Sequence, residues 1–345
     1  MAVASLKELA CIILVKDFAP NEDTINQSNE EEIPILQTSM ETFEVTGRVY
    51  EIIKSENLKI WKTEKFSDSQ TLKFSSSQFF RFKTVGSMEL NKYRADLHIH
   101  TVLSPCGDIY MSPSAIIEQA KKLHLDIIAI TDHNSTRQVK ITQRLGKENG
   151  IFVIGGVEIT TQEEAHALAY FENDEQLDAF QDFIDEHLPH IPNDEERFGY
   201  QLIVDENEDV TGEEEWLIIS ALDVDLDTLY NKVHEIGGLF VPAHVNKPAS
   251  SLMSQLGFVP PDIKADALEI SKHVNKDDFL RKFAYLKKFP FTKSSDAHFI
   301  HIIGEVHCIL NMCEPTFEEF RMTLKGEDGR FIDTEPNEKL QLLYG

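Results

Sequence analysis

The sequence predicts an α/β chain whose strands and helices alternate from residue 93 onward as in a β/α barrel. Three observations predict it. Residues 96–133, DLHIHTVLSPCGDIYMSPSAIIEQAKKLHLDIIAITDH, read as one strand–helix–strand unit. Short runs of buried-strand type recur at 93–98, 126–131, 151–159, 166–171, 239–244, 266–271, 291–296 and 305–310, the last as an eighth element or an edge. Histidines and acids gather where these runs finish, the mouth at which parallel-strand barrels place their chemistry.

In chain order, residues 1–60 read as a separate βαβα piece. CIILVKDF (11–18) is strand-like, the acidic stretch 21–32 a helix, IPILQT (33–38) a second strand and 40–53 a helix, with Phe43, Val45, Val49 and Ile52 mostly on one side. Residues 61–87 mix Ser, Lys and Phe without a period and read as a linker. Met88 begins MELNKYRADLHIH, which looks like the start of a free-standing enzyme, so 88–345 is a second unit fused to the first.

Within that unit, His98 and His100 stand at alternate positions of a strand and aim at one point. Ser112-Pro113 is a helix start, a capping hydroxyl followed by proline. Ile116, Ile117, Ala120 and Leu123 share a face of that helix, and DIIAIT (126–131) delivers Asp132 and His133. Helix 174–188 carries Leu177, Phe180, Ile184 and Leu188 on one face. The acidic insertion 190–223 lacks barrel rhythm and reads as a lid or as a solvated excursion. Helix 225–236 then stops at Gly237-Gly238.

The balance of 33 Lys+Arg against 59 Asp+Glu, formally −26, repels a phosphate backbone and argues against broad grip on long nucleic acid. It leaves room for a small phosphorylated substrate or the end of a strand. Four cysteines make no disulfide framework, and Cys11, Cys308 and Cys313 read as small buried hydrophobes. With neither a long apolar run nor a signal-peptide pattern, the expectation is a soluble cytoplasmic protein that engages no membrane.

The ends of the runs supply His98, His100, His133, Glu158, His166, His244, Asp296 and His298. A lone charged group beside an apolar run is costly to bury, and gathering such groups around cations removes the cost. Imidazole with carboxylate suits Zn, Mn or Fe rather than calcium. His124, His187, His190, His234, His273 and His307 read as structural, and His301, just beyond the site, is left open.

DLHIHTVLSPCGD followed by AITDHNS resembles the opening motifs of the PHP family, the polymerase and histidinol phosphatase domain, and the likeness runs in order over about residues 93–310. The resemblance implies a distorted barrel of seven β/α units, two or three divalent ions and phosphoester hydrolysis by metal-activated water. By the same resemblance His98, His100, Glu158 and Asp296 would hold one ion. Glu158 would bridge to a second, held also by His166 and His244. A third would take His133, His298 and a ligand from the SPCGD loop, Cys106 or Asp108, with Asp108 preferred. Asp132 would orient His133 rather than bind metal. Lys247 and Arg137 read as phosphate grips or as solvated cations.

TDHNS and EEAHALAYF look like the branch of small-nucleotide phosphatases and 5′-to-3′ exonucleases. They imply a nucleoside bisphosphate or the 5′ end of a short single strand as substrate. The rival readings are a non-catalytic regulatory module and a metal-dependent C–N hydrolase. Residues 1–60 resemble the back half of a DRTGG-type domain and of the related N-terminal domain of HPr kinases. The missing front half implies a protein partner or dimer that completes the sheet, or a remnant.

Overall fold

The computed structural model describes residues 12–14, 19–21, 23–26, 35–37, 70–72, 80–84 and 90–336. The chain divides into two compact units, Met1–Glu89 and Leu90–Gly345. In the first, β1 (Ile12–Leu14) pairs parallel with β2 (Ile35–Gln37), and β3 (Gln70–Leu72) and β4 (Phe80–Thr84) complete a sheet of order β1-β2-β4-β3. Residues 61–87 therefore contribute two strands where the sequence suggested a linker. The helix expected over 40–53 lies outside the described residues.

The second unit opens with β5 (Asn91–Ile99), α1 (Pro113–Lys122), β6 (Ile127–Ile130), α2 (Val139–Asn149) and β7 (Phe152–Thr160). The three strands run parallel. Ser112 caps α1, its hydroxyl accepting from Ala115 N, and Pro113 sits where its missing N–H costs nothing. Then β8 (His166–Phe171) departs from the simple barrel pattern by running antiparallel to β7. The reason is length. Residues 161–165 are all that join the two strands, and a parallel return needs about a dozen. After α3 (Asp174–His187) come the insertion, α5 (Leu226–Ile236) and β11 (Leu239–Pro242). The insertion holds α4 (Glu195–Phe198), β9 (Leu202–Val204) and β10 (Val210–Glu213). Next are α6 (Leu252–Leu256), β12 (Leu268–Glu269), α7 (Lys276–Lys282), β13 (Phe291–Thr292), β14 (Cys308–Met312), α8 (Phe317–Lys325) and β15 (Phe331–Asp333).

One sheet has the order β11-β8-β7-β6-β5-β14-β15, and β12 pairs parallel with β13. Backbone bonds beyond these ladders close a ring. Asp266 N donates to Phe240 O (2.9 Å) and Val245 N to Glu269 O (2.8 Å), joining β11 to β12. His100 N donates to Ala297 O (3.0 Å), joining the end of β5 to the chain beyond β13. The result is a curled, distorted barrel of β5, β6, β7, β8, β11, β12 and β13. β14 lies outside that ring, antiparallel to the first half of β5, and β15 forms the edge.

Strand alternation divides the apolar residues of β5–β11 between two cores, and a third gathers around Leu268, Ile270, Phe279, Leu286 and Phe291. Leu97, Ile127, Ala129, Ile154, Leu168, Tyr170 and Val241 line the inner one, which Phe317, Phe320 and Leu324 of α8 also enter. Ile128, Ile130, Val157, Ala169 and Phe240 face outward with Ile116 and Ile117 of α1, Phe180 of α3 and Val233 of α5. The register of β5 against β6 shifts between Asp96 and Ile99. Ala95 and Leu97 belong to the inner core and Ile99 to the outer, so this bulge resets which face the end of β5 presents.

Part of the insertion 190–223 packs on the rest of the unit rather than standing in solvent. Leu217, Ile218 and Leu222 are buried, and Gln201 bonds to the backbone of Glu214, Trp216 and Ile218. Asn134 donates to Ile218 O and Ser220 O, and Gln138 exchanges bonds with Val204. Among the described residues no helix is long and apolar enough to cross a membrane.

Gly199 is where the insertion meets the loop after β5. Its φ is +101°, and a Cβ there would lie 2.2 Å from Pro105 O. Gly199→Ala is expected to loosen this contact at a cost of about 1–3 kcal/mol. Hydrogen exchange should then quicken over 190–223 while β5–β7 stay protected. Unchanged exchange in the insertion would contradict the account.

Candidate metal centre

The site grows from one carboxylate. Glu158, on β7, is 1% exposed and points into the mouth of the ring. Its oxygens lie 3.4 Å from His98 Nε2, 3.3 Å from His100 Nε2, 3.1 Å from His133 Nδ1, 2.9 Å from His166 Nδ1 and 3.0 Å from His244 Nε2. These rings come from five places: β5, its end, the turn after β6, the start of β8 and the turn after β11. Because β8 is antiparallel, its first residue lies at the mouth where the parallel strands finish. His166 reaches the site for that reason.

Asp296 closes the other side, its Oδ1 at 3.5 Å from both His98 and His100 Nε2. His298 stacks on His100 with ring centroids 4.1 Å apart. Among the described residues, three groups have ligand atoms close enough to share an ion: His98, His100 and Glu158; His133, Glu158 and His166; His100, His133 and His298. Non-glycine residues at the mouth that take left-handed backbone include Asn134 (φ 41°), His244 (φ 27°), Ser250 (φ 53°) and Asp296 (φ 52°). Such strain is held only where neighbours fix it. His244 N donates to Glu269 Oε2, and Asn134 is tied to the insertion.

Hydrogen bonding fixes the tautomers of three rings. His98 Nδ1 lies 3.1 Å from Glu269 Oε2, a carboxylate that can only accept from it when ionised. Ser104 Oγ donates its one proton to Asp132 Oδ1 (2.7 Å), so it accepts from His100 Nδ1 (3.0 Å). His298 Nδ1 faces the Asp296 carbonyl at 3.0 Å. Each ring therefore carries a proton on Nδ1, so that Nε2 is the nitrogen that would give up its proton to a bound cation. The Nε2 atoms of His98 and His100 meet at 3.1 Å.

Burial opposes charge on His98, His100, His133 and His298, and the balance differs from one to the next. At His98 the carboxylates of Glu158, Glu269 and Asp296 outweigh desolvation and hold the pKa well above the usual histidine value. At His133 desolvation and the His100 charge prevail, holding the ring neutral well below that value. Desolvation and His100 also draw His298 down to about 4. Desolvation pushes Glu158 towards protonation, but the rings around it, His166 and His98 first, overcome it and hold its pKa well below the usual carboxylate value.

The remaining residues singled out from the sequence separate. Asp132 is buried and does not orient His133 through its ring. It accepts from Thr101 N, Thr101 Oγ1 and Ser104 Oγ, so it reaches His100 instead, through Ser104. Asp108 accepts from Tyr110 N within its own turn. Cys106 lines the cavity with Asp296 and His298, and neither loop residue joins the three groups. Lys247 also lines the cavity, its ammonium on Asp296 Oδ2. Arg137 is occupied by Asp185 and Glu214, at 2.7 Å each. His187 and His234 bond to Asp223 and Asp266, whereas His273, expected to be structural, lines the cavity. Sequence reading missed Glu269 and Ser104. Glu269 was legible only as a lone acid within the apolar run ALEIS.

The donors fit divalent ions. His133 Nδ1, Glu158 Oε2 and His244 Nδ1 are buried without a hydrogen-bond partner, and the set mixes imidazole with carboxylate. Comparison with known proteins agrees in kind. A Bacillus subtilis protein, "Uncharacterized protein YqxK", is 36% identical over 109 residues, 30% of this chain and 28% of its own. An Eggerthella lenta protein, "Phosphoribosyl 1,2-cyclic phosphate 1,2-diphosphodiesterase", is 31% identical over 65 residues, 19% of this chain and 24% of its own. The crystal structure of "the novel lesion-specific endonuclease PfuEndoQ" from Pyrococcus furiosus shares the fold, with a TM-score of 0.54 at 22% identity. That match covers 70% of this chain and 58% of the other. The chain thus spans well under two thirds of these relatives. The family model "PHP domain" matches residues 96–279, which takes in His98, His100, His133, Glu158, His166 and His244, and the chain belongs to that family.

Proposed function

We propose that this chain is a metal-dependent phosphoester hydrolase acting on a small phosphorylated substrate, a nucleotide or the 5′ end of a short oligonucleotide. The observation that carries the reading is the single buried carboxylate of Glu158 within 3.4 Å of five imidazoles. His98, His100, Glu158 and Asp296 would hold one ion; Glu158, His166 and His244 a second; His133 and His298 a third. Such ions supply Lewis acidity toward a phosphoryl oxygen and lower the pKa of a water.

The chain's own groups do the rest. Glu269 and the Asp132–Ser104 pair hold His98 and His100 with Nε2 turned to the centre. Lys247 keeps a positive charge at the cavity wall: burial works against it, and Asp296 outweighs burial. Arg137, already paired with two carboxylates, is not assigned a phosphate. The named activity of the Eggerthella relative supports phosphoester chemistry, and the −26 charge supports a small substrate over a long duplex.

Manganese-loaded protein is expected to turn over aryl phosphates or nucleotides. His98→Ala and Asp296→Ala should each lower kcat by about a thousandfold or more, the loss of several kcal/mol of charge stabilisation, with circular dichroism unchanged. Wild-type rates in either variant would remove the assignment. Glu269→Gln keeps an acceptor oxygen but removes the negative charge that His98 Nδ1 and the His244 N–H share on Oε2. It should weaken metal affinity by roughly 10- to 100-fold in a competitive chelator titration. Unaltered affinity would show that Glu269 serves packing alone.

A further inference from the structure

We infer that the larger cavity beside the cluster is a flat-ring subsite, in which Phe299 stacks on the base of a nucleoside phosphate. The inference rests on the phosphoesterase reading and names what that site recognises. Two cavities open on the cluster, of about 420 and 190 Å³. They share His244, Lys247, Asp296 and His298. The smaller continues along Glu158, His133 and His166. The larger leads away from Glu158 and His166, past Phe299, Ile270 and Ile302. A phosphoryl group at the shared residues would send the remainder of its ester into the larger space, which has the size of a small-molecule site.

Phe299 directly follows a metal-capable histidine, yet it is 46% exposed. The His301 ring lies 5.8 Å from it, centroid to centroid, so the histidine left open by the sequence neighbours Phe299 without lining the cavity. A phenyl with a free face beside a phosphoester site is a platform for a base. Ser294 Oγ, on the same cavity, is buried and lacks a hydrogen-bond partner, a polar contact ready for a ring substituent. The cations of the cavity are already paired. Lys272 lies 3.0 Å from Glu305, and Lys247 is on Asp296. That pairing favours a neutral ring over a second phosphate.

The test uses manganese-loaded full-length chain, with nucleoside 5′-monophosphates and ribose 5-phosphate, which differ only in the base. Phe299→Ala should raise KM for the nucleotides about tenfold, leaving ribose 5-phosphate and kcat unchanged, and Phe299→Trp should retain nucleotide affinity. An equal loss on both substrates, or none on the nucleotides, would overturn the inference. Should wild type hydrolyse neither, the phosphoesterase reading fails and calorimetric binding decides the subsite separately. Tighter binding of the nucleotide than of ribose 5-phosphate, abolished in Phe299→Ala, sustains it; equal binding overturns it.

Discussion

One buried carboxylate among five imidazoles is the constraint on which the unit depends. Taken alone, an ionised Glu158 in the mouth of a barrel would carry a desolvation cost of several kcal/mol. The imidazoles around it would be no better placed, with buried nitrogens aimed at one another rather than at water. Neither set is comfortable without the other, and divalent cations between them would satisfy both. Much of the surrounding structure serves to keep these groups from turning away.

The means of doing so are ordinary backbone devices. A bulge near the end of β5 changes the face it presents. A short hairpin after β7 makes β8 antiparallel and carries His166 back to the mouth. Left-handed residues at Asn134, His244 and Asp296 turn the chain at the strand ends, and bonds from Glu269 and the insertion hold two of those turns. The insertion is anchored to the unit by buried Leu217, Ile218 and Gln201.

What the sequence revealed follows from how local each signal was. HxH on a strand, Asp-His after an apolar run and Glu158 in a long strand-like stretch are short-range patterns, and they were readable together with the ring of strands. Asp132 was assigned to its sequence neighbour, but its bonds run across to Thr101 and Ser104, a tertiary choice that adjacency does not encode. Glu269 escaped because a lone acid in ALEIS has no periodic partner; its meaning lies in His98 and in the backbone of His244. Arg137 looked free to grip phosphate, but Asp185 and Glu214 come from α3 and the insertion, distant in sequence. The direction of β8 was available from its five-residue connection and was overlooked in favour of the barrel rhythm.

The central claim is that Glu158 is shared between ions held by rings from separate strands. Diffraction recorded on either side of the absorption edge of the metal found by elemental analysis tests it most directly. The account predicts at least two anomalous peaks in the mouth of the barrel, both within bonding distance of Glu158, one beside His98 and His100 and one beside His166 and His244. Ions bound elsewhere on the chain, with Glu158 touching none of them, would contradict it.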